Sequence, residues 1–317
     1  MLFFMKNLEP SAQLKSFLET DVFKTDQILM RSLNRGGASL NYKISVSDKS
    51  FLLKILPLSK IIRAEHLLSV YQNLSTLTNL AAPKISAPTL HHLLNFDEYL
   101  LLFMDFIEGK RIKNFSSSEL LQFAQNENIL FQAHFQQTNF IGSPFTPEGL
   151  FEEAQNKFVK ITQTSSFLFY KKSIFRILRN IVKNAPQIDR APCVIHGDTG
   201  PNNFILTRSG KLFFLDFEMI RYGQISEDLA QFLLYPLLQH SIWFFNQKKF
   251  VQNVRFFNDY FHLNFDDWLY GVSIYFLRLA CRRLSSPKIL KSPRKSWLFY
   301  KHLQKYEKVV QILKTLY

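Results

Sequence analysis

The 317-residue sequence predicts an α+β fold in two unequal lobes, a small β-rich lobe over residues 1–105 and a larger, mostly helical lobe over residues 106–317. Three observations carry this expectation. Residues 26–56 read as successive strands punctuated by turn residues. From Ser116 onward, apolar residues recur at helical spacing. One short β interruption, near residues 204–215, breaks the helical part and carries most of its unusual polar residues.

The segment "DQILMRSLNRGGASLNYKISVSDKSFLLKIL" (Asp26–Leu56) divides into three strands. The first ends near Leu33, the second covers Leu40–Val46 and the third Phe51–Leu56. Gly36-Gly37 break the first pair, and Ser47 to Ser50 turn the second. A helix follows in "SKIIRAEHLLSVYQNLSTL", where Ile61, Leu67, Leu68, Tyr71 and Leu74 recur at helical spacing behind Ser59 as N-cap. "EYLLLFMDFIEG" supplies a further strand and then a hinge near Asp105 to Gly109. In the second lobe, "SSSELLQFAQNENILFQAHF" and "SWLFYKHLQKYEKVVQILKTLY" are amphipathic. In the latter, Trp297, Tyr300, Leu303, Tyr306, Val310, Leu313 and Tyr317 form an expected core stripe, with Lys301, Lys305 and Lys308 off it. Phe204–Leu206 and Leu212–Leu215 flank "TRSG" as a short hairpin.

Composition narrows the classes. Cys193 and Cys281 cannot build a disulfide framework and lack metal-site spacing, which points to a reducing, cytoplasmic home. The opening "MLFFMKNLEPSAQ" reaches Lys6 and Glu9 too soon for a signal-peptide core. The apolar run "YLLLFM" is strand-sized, so no membrane span is expected. The formal charge is +14, and from residue 271 onward eleven basic residues face one acid, Glu307. Such a region either attracts an anionic partner or serves as a solvated helix surface. It carries no motif for reading nucleic acid, so a nucleic-acid partner is not expected.

The chemistry concentrates in "VIHGDTGPNNFILTRSGKLFFLDFE" (Val194–Glu218), which sets His196, Asp198, Asn203 and Asp216 among apolar residues. Two carboxylates and an amide held together need a positive partner. Asn203 enters the first strand of the hairpin and Asp216 leaves the second, so both lie at one end, with Asp198 on the loop before. Carboxylate and amide oxygens suit Mg²⁺, which takes its remaining oxygens from water and substrate phosphates. Asp198 is then free to accept a proton from an attacking hydroxyl. Phosphoryl transfer needs this division of labour. No Walker A sequence, zinc spacing or G-x-S-x-G elbow competes with it.

His196-Gly197-Asp198 with Asn203 resembles the H-x-D-x-x-x-x-N catalytic loop of protein-kinase-like folds, and Asp216-Phe217-Glu218 resembles their D-F-G position. Followed by "EDLAQFL" (Glu227–Leu233), the set is similar to the aminoglycoside phosphotransferase and choline kinase family of small-molecule kinases. Protein kinases usually carry Arg at the Gly197 position and Gly at the Glu218 position. The resemblance spans about residues 28 to 235 and implies a protein-kinase-like two-lobe fold, ATP and magnesium as cofactors, and a hydroxyl acceptor such as an amino alcohol, sugar or aminoglycoside. It makes Asp198 the catalytic base, Asn203 and Asp216 the magnesium ligands, and His196 a structural brace of the loop.

The same resemblance implies an ATP site in the first lobe. Lys54, in "FLLKIL", falls where the α- and β-phosphates are held, and a lysine in so apolar a strand is costly to bury unpaired. Glu65 is its expected ion-pair partner. Gly36 and Gly37, with Asn41 nearby, fall at the loop whose backbone N–H groups approach the phosphates. The backbone around Met104 to Phe106 is expected to meet adenine. Glu218 faces the acceptor or the metal, or supports them from behind.

The acceptor is the least legible part. An aminoglycoside wants a wall of carboxylates; the basic C-terminal region argues against one unless Glu218, Glu227, Asp228, Asp266 and Asp267 cluster. Choline wants an aromatic box, for which Trp243, Phe244, Phe245 and Trp268 are candidates, but "DFE" stands where choline-type members carry "DWE". Two other readings stand beside the small-molecule kinase. One is a catalytically silent nucleotide-binding scaffold, against which the joint presence of Lys54, Asp198, Asn203 and Asp216 argues. The other is a kinase-fold transferase acting on a protein, against which the lack of A-P-E after Asp216 argues.

Overall fold

The computed structural model describes residues 12–25, 27–33, 40–57, 69–71, 74, 85–112, 115–132, 143–161, 165–239, 246–286 and 292–317. Gly36, Gly37, Ser59 and Glu65 lie outside the described residues. Strands β1 (Ile28–Ser32), β2 (Leu40–Val46), β3 (Lys49–Pro57), β4 (Leu90–Phe96) and β5 (Tyr99–Asp105) form one antiparallel sheet in the order β1-β2-β3-β5-β4. Strand β4 is absent from the sequence expectation. Its "LHHLLNF" spaces apolar residues irregularly, and a register shift between Leu90 and His92 interrupts its pairing with β5.

Strand β3 runs in the middle of the sheet, so its two faces are both covered, and side chains alternate between them. Leu53 and Ile55 turn to one side. There they meet Leu14 of α1 (Ala12–Phe17), Leu18 just after it, and Leu101 and Phe103 of β5. Leu56, Leu100, Leu102 and Met104 turn to the other side, into the core shared with the helical part. The two-residue period sends Lys54 to that second face, where it is buried with only 7% exposure.

The helical part contains α2 (Ser117–Phe131), α3 (Pro147–Ile161), α4 (Ser165–Asn184), α5 (Ile225–Gln239), α6 (Gln247–Phe261), α7 (Phe265–Leu284) and α8 (Pro293–Lys314). Ser116 and Glu119 close a capping box on α2, and Asn264 and Asp267 close another on α7. Helix α7 is buried nearly all round because α3, α5 and α8 pack against it. Strand β7 (Cys193–Ile195) pairs with β10 (Arg221–Gly223), while β6 (Lys110–Arg111), β8 (Phe204–Leu206) and β9 (Leu212–Phe214) form a small sheet.

Helix α8 buries a face that shares Leu303, Tyr306 and Leu313 with the expected stripe and is rotated from it elsewhere. Its buried residues are Ser296, Phe299, Leu303, Tyr306, Val309, Ile312 and Leu313, while Trp297, Tyr300 and Val310 are half-buried and Tyr317 is exposed. The large rings are satisfied at the rim: Tyr300 stacks on Tyr170 at 5.3 Å, and Lys301 sits 6.0 Å from the Trp297 ring. Both cysteines are free thiols, and burial pushes each up to about 12, which makes them poor nucleophiles. Among the described residues, no helix is long and apolar enough to cross a membrane.

Candidate active site

The loop after β7 is held by its backbone. Gly197 has φ +77°, and a Cβ there would lie 2.0 Å from the carbonyl oxygen of Met219. No side chain fits this position, which accounts for the departure from the arginine of protein kinases. The Asp228 carboxylate accepts the Gly197 N–H at 2.9 and 3.1 Å, and Arg278 Nη2 donates to the Gly197 carbonyl at 2.7 Å. Thr199 donates its hydroxyl to the Asp228 carbonyl at 2.6 Å. His196 is fully buried; Nε2 lies 2.9 Å from the Leu215 carbonyl and Nδ1 accepts the Asp198 N–H at 3.2 Å.

Asp198 projects from this loop with both carboxylate oxygens engaged. Asn203 Nδ2 donates to Oδ2 at 3.1 Å and to the Asp198 carbonyl at 2.7 Å, and Gln231 Nε2 donates to Oδ1. Gln231 in turn accepts from Arg278 Nη1 at 3.2 Å. Each oxygen keeps a further lone pair for an incoming donor.

Asp216 follows β9 at φ 60° and ψ 59°, a left-handed conformation uncommon for a residue with a side chain. Its Oδ1 accepts from Lys54 Nζ at 2.8 Å, and Glu218, one short turn on, binds the same ammonium. The Glu218 side chain is 9% exposed and that of Asp216 is 43% exposed, so the second acid anchors the lysine and the first opens onto the cleft. Phe217 between them is fully buried against the His196 ring at 4.7 Å. The sequence therefore brings Lys54, His196, Asp198, Asn203, Asp216 and Glu218 to one place.

The donor set fits magnesium. Asp216 spends one carboxylate oxygen on Lys54, and Asn203 spends amide N–H on Asp198, which leaves a carboxylate and an amide oxygen as hard donors. Among the described residues, no three His, Cys, Asp or Glu side chains form a cage of their own. Two protein oxygens with the rest from phosphates and water is the usual magnesium arrangement. Alongside, a cavity of about 840 Å³ runs from Phe106 to Arg111 and across Ile205 and Leu206, large enough for a nucleotide. Lys43 stands 4.4 Å over the Phe106 ring and pairs with Glu108 at 2.8 Å. Met104 is buried in β5, one step inside this cavity's edge.

Sequence reasoning assigned no role to Gln231 or Arg278 and offered Asp228 only for an acidic wall against a cationic acceptor; all three instead hold the loop, from α5 and α7. Their signal was a polar or charged residue within an apolar helical run, as Arg278 is in "SIYFLRLACRRL". Of the acids proposed for a cationic wall, Glu218, Glu227, Asp228 and Asp267 are engaged elsewhere. Glu218 binds Lys54, Glu227 binds the buried Arg221 at 2.6 Å, and Asp267 caps α7 and meets Arg190 at 3.3 Å. Trp268 is fully buried and donates Nε1–H to Asn258, which removes it from a choline box. Trp243, Phe244 and Phe245 lie outside the described residues.

Behind the loop, Glu127 is fully buried with its carboxyl against that of Asp228. Burial, then the neighbouring Asp228, pushes its carboxyl well above the usual range. Burial raises Asp228 too, but His196, Arg221, the Gly197 N–H and Arg278 favour its anion, so Glu127 holds the proton of the pair. A carboxyl raised on folding binds more protons in the native than in the unfolded chain, so stability falls as pH rises above about 4.5, the ordinary value of the unfolded group. Glu127→Gln is neutral at every pH. It should gain on the order of 1 kcal/mol or more over the parent at pH 8, and nothing at pH 4. Urea unfolding across that range measures this, and equal pH slopes for the two proteins would refute the assignment.

The model of a family described as the phosphotransferase enzyme family matches residues 30–266. A comparison with curated proteins returned no significant match. Among solved structures, the aminoglycoside phosphotransferase APH(2'')-Ib with ADP bound aligns with a TM-score of 0.63 at 16% identity, covering 96% of this chain and 99% of that one. A putative aminoglycoside phosphotransferase from Ralstonia eutropha aligns at 0.64 with 11% identity, covering 93% and 97%. The spectinomycin phosphotransferase APH(9)-Ia, in complex with ADP and spectinomycin, aligns at 0.62 with 11% identity, covering 96% and 97%. The likeness to these structures is one of fold, a β-rich first lobe and a helical second lobe of the kinase-like kind. With its family model matched over most of its length, the chain belongs to the phosphotransferase enzyme family.

Proposed function

We propose that the chain transfers the γ-phosphoryl group of ATP to a hydroxyl of a small molecule. The observation that carries this is the meeting of Lys54 with Asp216 at 2.8 Å beside the Asp198–Asn203 pair at 3.1 Å. An ammonium for phosphate, two hard oxygens for magnesium and a carboxylate for a hydroxyl proton thus share one cleft. The ADP complexes of the structural relatives support a nucleotide in the same cleft.

The roles follow from the chemistry of each side chain. Lys54 offers its ammonium to the phosphates, released in part from Asp216 and kept in place by Glu218. Asn203 Oδ1 and Asp216 would hold magnesium, which neutralises phosphate charge when bound. Met104 and Phe106 border adenine, Gly36 and Gly37 cover the phosphates, and Glu65 is the further partner of Lys54. Gln231 and Asn203 orient the Asp198 carboxylate, and His196 orients its backbone. The acceptor oxygen forms its bond to the γ-phosphorus as the bond to the ADP oxygen breaks, and the hydroxyl proton passes to Asp198. A reducing cytoplasm suits the two free thiols.

Magnesium-dependent ADP release, measured across amino alcohols, sugars, hydroxy acids and aminoglycosides, tests this. Turnover should rise with a true acceptor, and Asp198→Asn should cut it by roughly 10²–10⁴-fold with ADP affinity kept. If ADP binds but no acceptor raises turnover above that of the variant, the chain is a silent nucleotide-binding scaffold.

A further inference from the structure

Past Gln231 the wall beside Asp198 changes character. Gln231 donates to the Asp198 carboxylate and accepts from Arg278, so it stands between the base and what lies beyond. Beyond it opens a narrow cavity with about 40 Å³ of free space. It is lined by Arg278, Arg282 and Arg283 from the last turns of α7, by His302 from α8, and by Tyr235 and Tyr275. Arg278 and Arg282 are one helical turn apart and face the same way. Among the described residues no carboxylate lines this cavity, and no ion pair joins Arg282 or Arg283 to an acid.

Burial, together with Lys305 and Arg283, pushes His302 down to about 4. Burial and Arg221 push Arg278 down to about 10 against the pull of Glu227, Asp198 and Asp228. The dipole of α7 favours cations at its C-terminus and accounts for tolerance of Arg282 and Arg283. Arg278, further inside the helix, is held by Gly197 and Gln231, but neither those contacts nor the dipole accounts for two tyrosines on the same cavity. The acids that would suit a polycation are spent on other partners, and Asp266 stands exposed about 18 Å of helix away from Arg278.

We propose that this cavity is the acceptor's anion subsite, and that the molecule phosphorylated carries a carboxylate or phosphate group beside the hydroxyl it presents to Asp198. The proposal rests on the phosphotransferase function above. Guanidinium and phenol donors match an oxyanion, and the free space suits a head group of a few heavy atoms rather than a sugar ring. A polycationic antibiotic is repelled by the same wall, so the wall selects against it as well as for its opposite.

The test uses the full chain with magnesium and γ-labelled ATP. Hydroxy carboxylates and phosphate monoesters of polyols are paired with the matching amides, neutral polyols and an aminoglycoside. The anionic member of each pair should have a kcat/KM at least about tenfold higher. Arg283→Gln should raise KM for the anionic acceptor about tenfold or more, with a much smaller change in kcat. Equal or better transfer to neutral or cationic members overturns the subsite and leaves the phosphotransferase standing.

A second arm measures equilibrium binding of glycerol 3-phosphate and of malate to nucleotide-free protein, which also separates phosphate from carboxylate. Saturable binding that Arg283→Gln weakens and Lys54→Met leaves in place supports the subsite. Binding of neither probe overturns it. If that Arg283-dependent binding occurs but no compound is phosphorylated, the phosphotransferase function fails, and with it the claim that the bound anion belongs to an acceptor.

Discussion

Gly197→Ala should destabilise the protein by about 3 kcal/mol or more, the largest stability loss expected of any single methyl group added here. Two costs add. A left-handed backbone costs an L-residue about 1–2 kcal/mol, and forcing atoms into a filled space costs about 1–3 kcal/mol. The space is filled by backbone: the new Cβ would stand 2.0 Å from the Met219 carbonyl oxygen, which cannot swing aside like a side chain. Relief requires moving the peptide held by Asp228 on one side and Arg278 on the other. Since Asp198 is the next residue, activity should fall together with stability. A shift of the urea midpoint at unchanged m-value measures the loss, and a change below about 1 kcal/mol would show that the loop tolerates a different backbone path.

Lys54→Met should lower kcat/KM for ATP by roughly 10²–10³-fold, the usual cost of removing one preorganised donor to developing charge. The ammonium is buried on β3 and clasped by Asp216 and Glu218, so its position is set before phosphate arrives. The Met side chain preserves the packing but leaves the two carboxylates without a cation. They would then repel the nucleotide's phosphates as well as each other. Lys54→Arg should rescue little, because a planar fork does not fit a site built around a point charge. Steady-state kinetics with ATP as the varied substrate reads the effect; a loss under about threefold would remove Lys54 from the phosphate site.

How much of this was legible in the sequence depended on how locally each part was written. The loop and hairpin place His196, Asp198, Asn203 and Asp216 in one short stretch, and hydrogen bonds within it join His196, Asp198 and Asn203. Lys54 was legible because a charge stood alone in an apolar strand whose period assigns it a face. Glu218 was noticed, but its bond to Lys54 depends on packing between lobes that no spacing encodes. Asp228, Gln231 and Arg278 come from α5 and α7, distant in sequence, and only the crossing of those helices turns them onto the loop. Strand β4 escaped because His91 and His92 mask its alternation, and the α8 stripe was met at Leu303, Tyr306 and Leu313 but missed elsewhere because ring-bearing residues were weighted as core. The pattern is physical: what hydrophobic period and local hydrogen bonding decide can be read along the chain, and what tertiary contact decides cannot.

The most direct test of the central claim follows the γ-phosphoryl group itself. The full chain is incubated with magnesium, γ-labelled ATP and an acceptor panel, and the label in small molecules, protein and free phosphate is separated and counted. The account predicts label in a small-molecule hydroxyl, dependent on magnesium and lost in Asp198→Asn. Label that appears only in protein or as free phosphate, at the same rate in that variant, would contradict it.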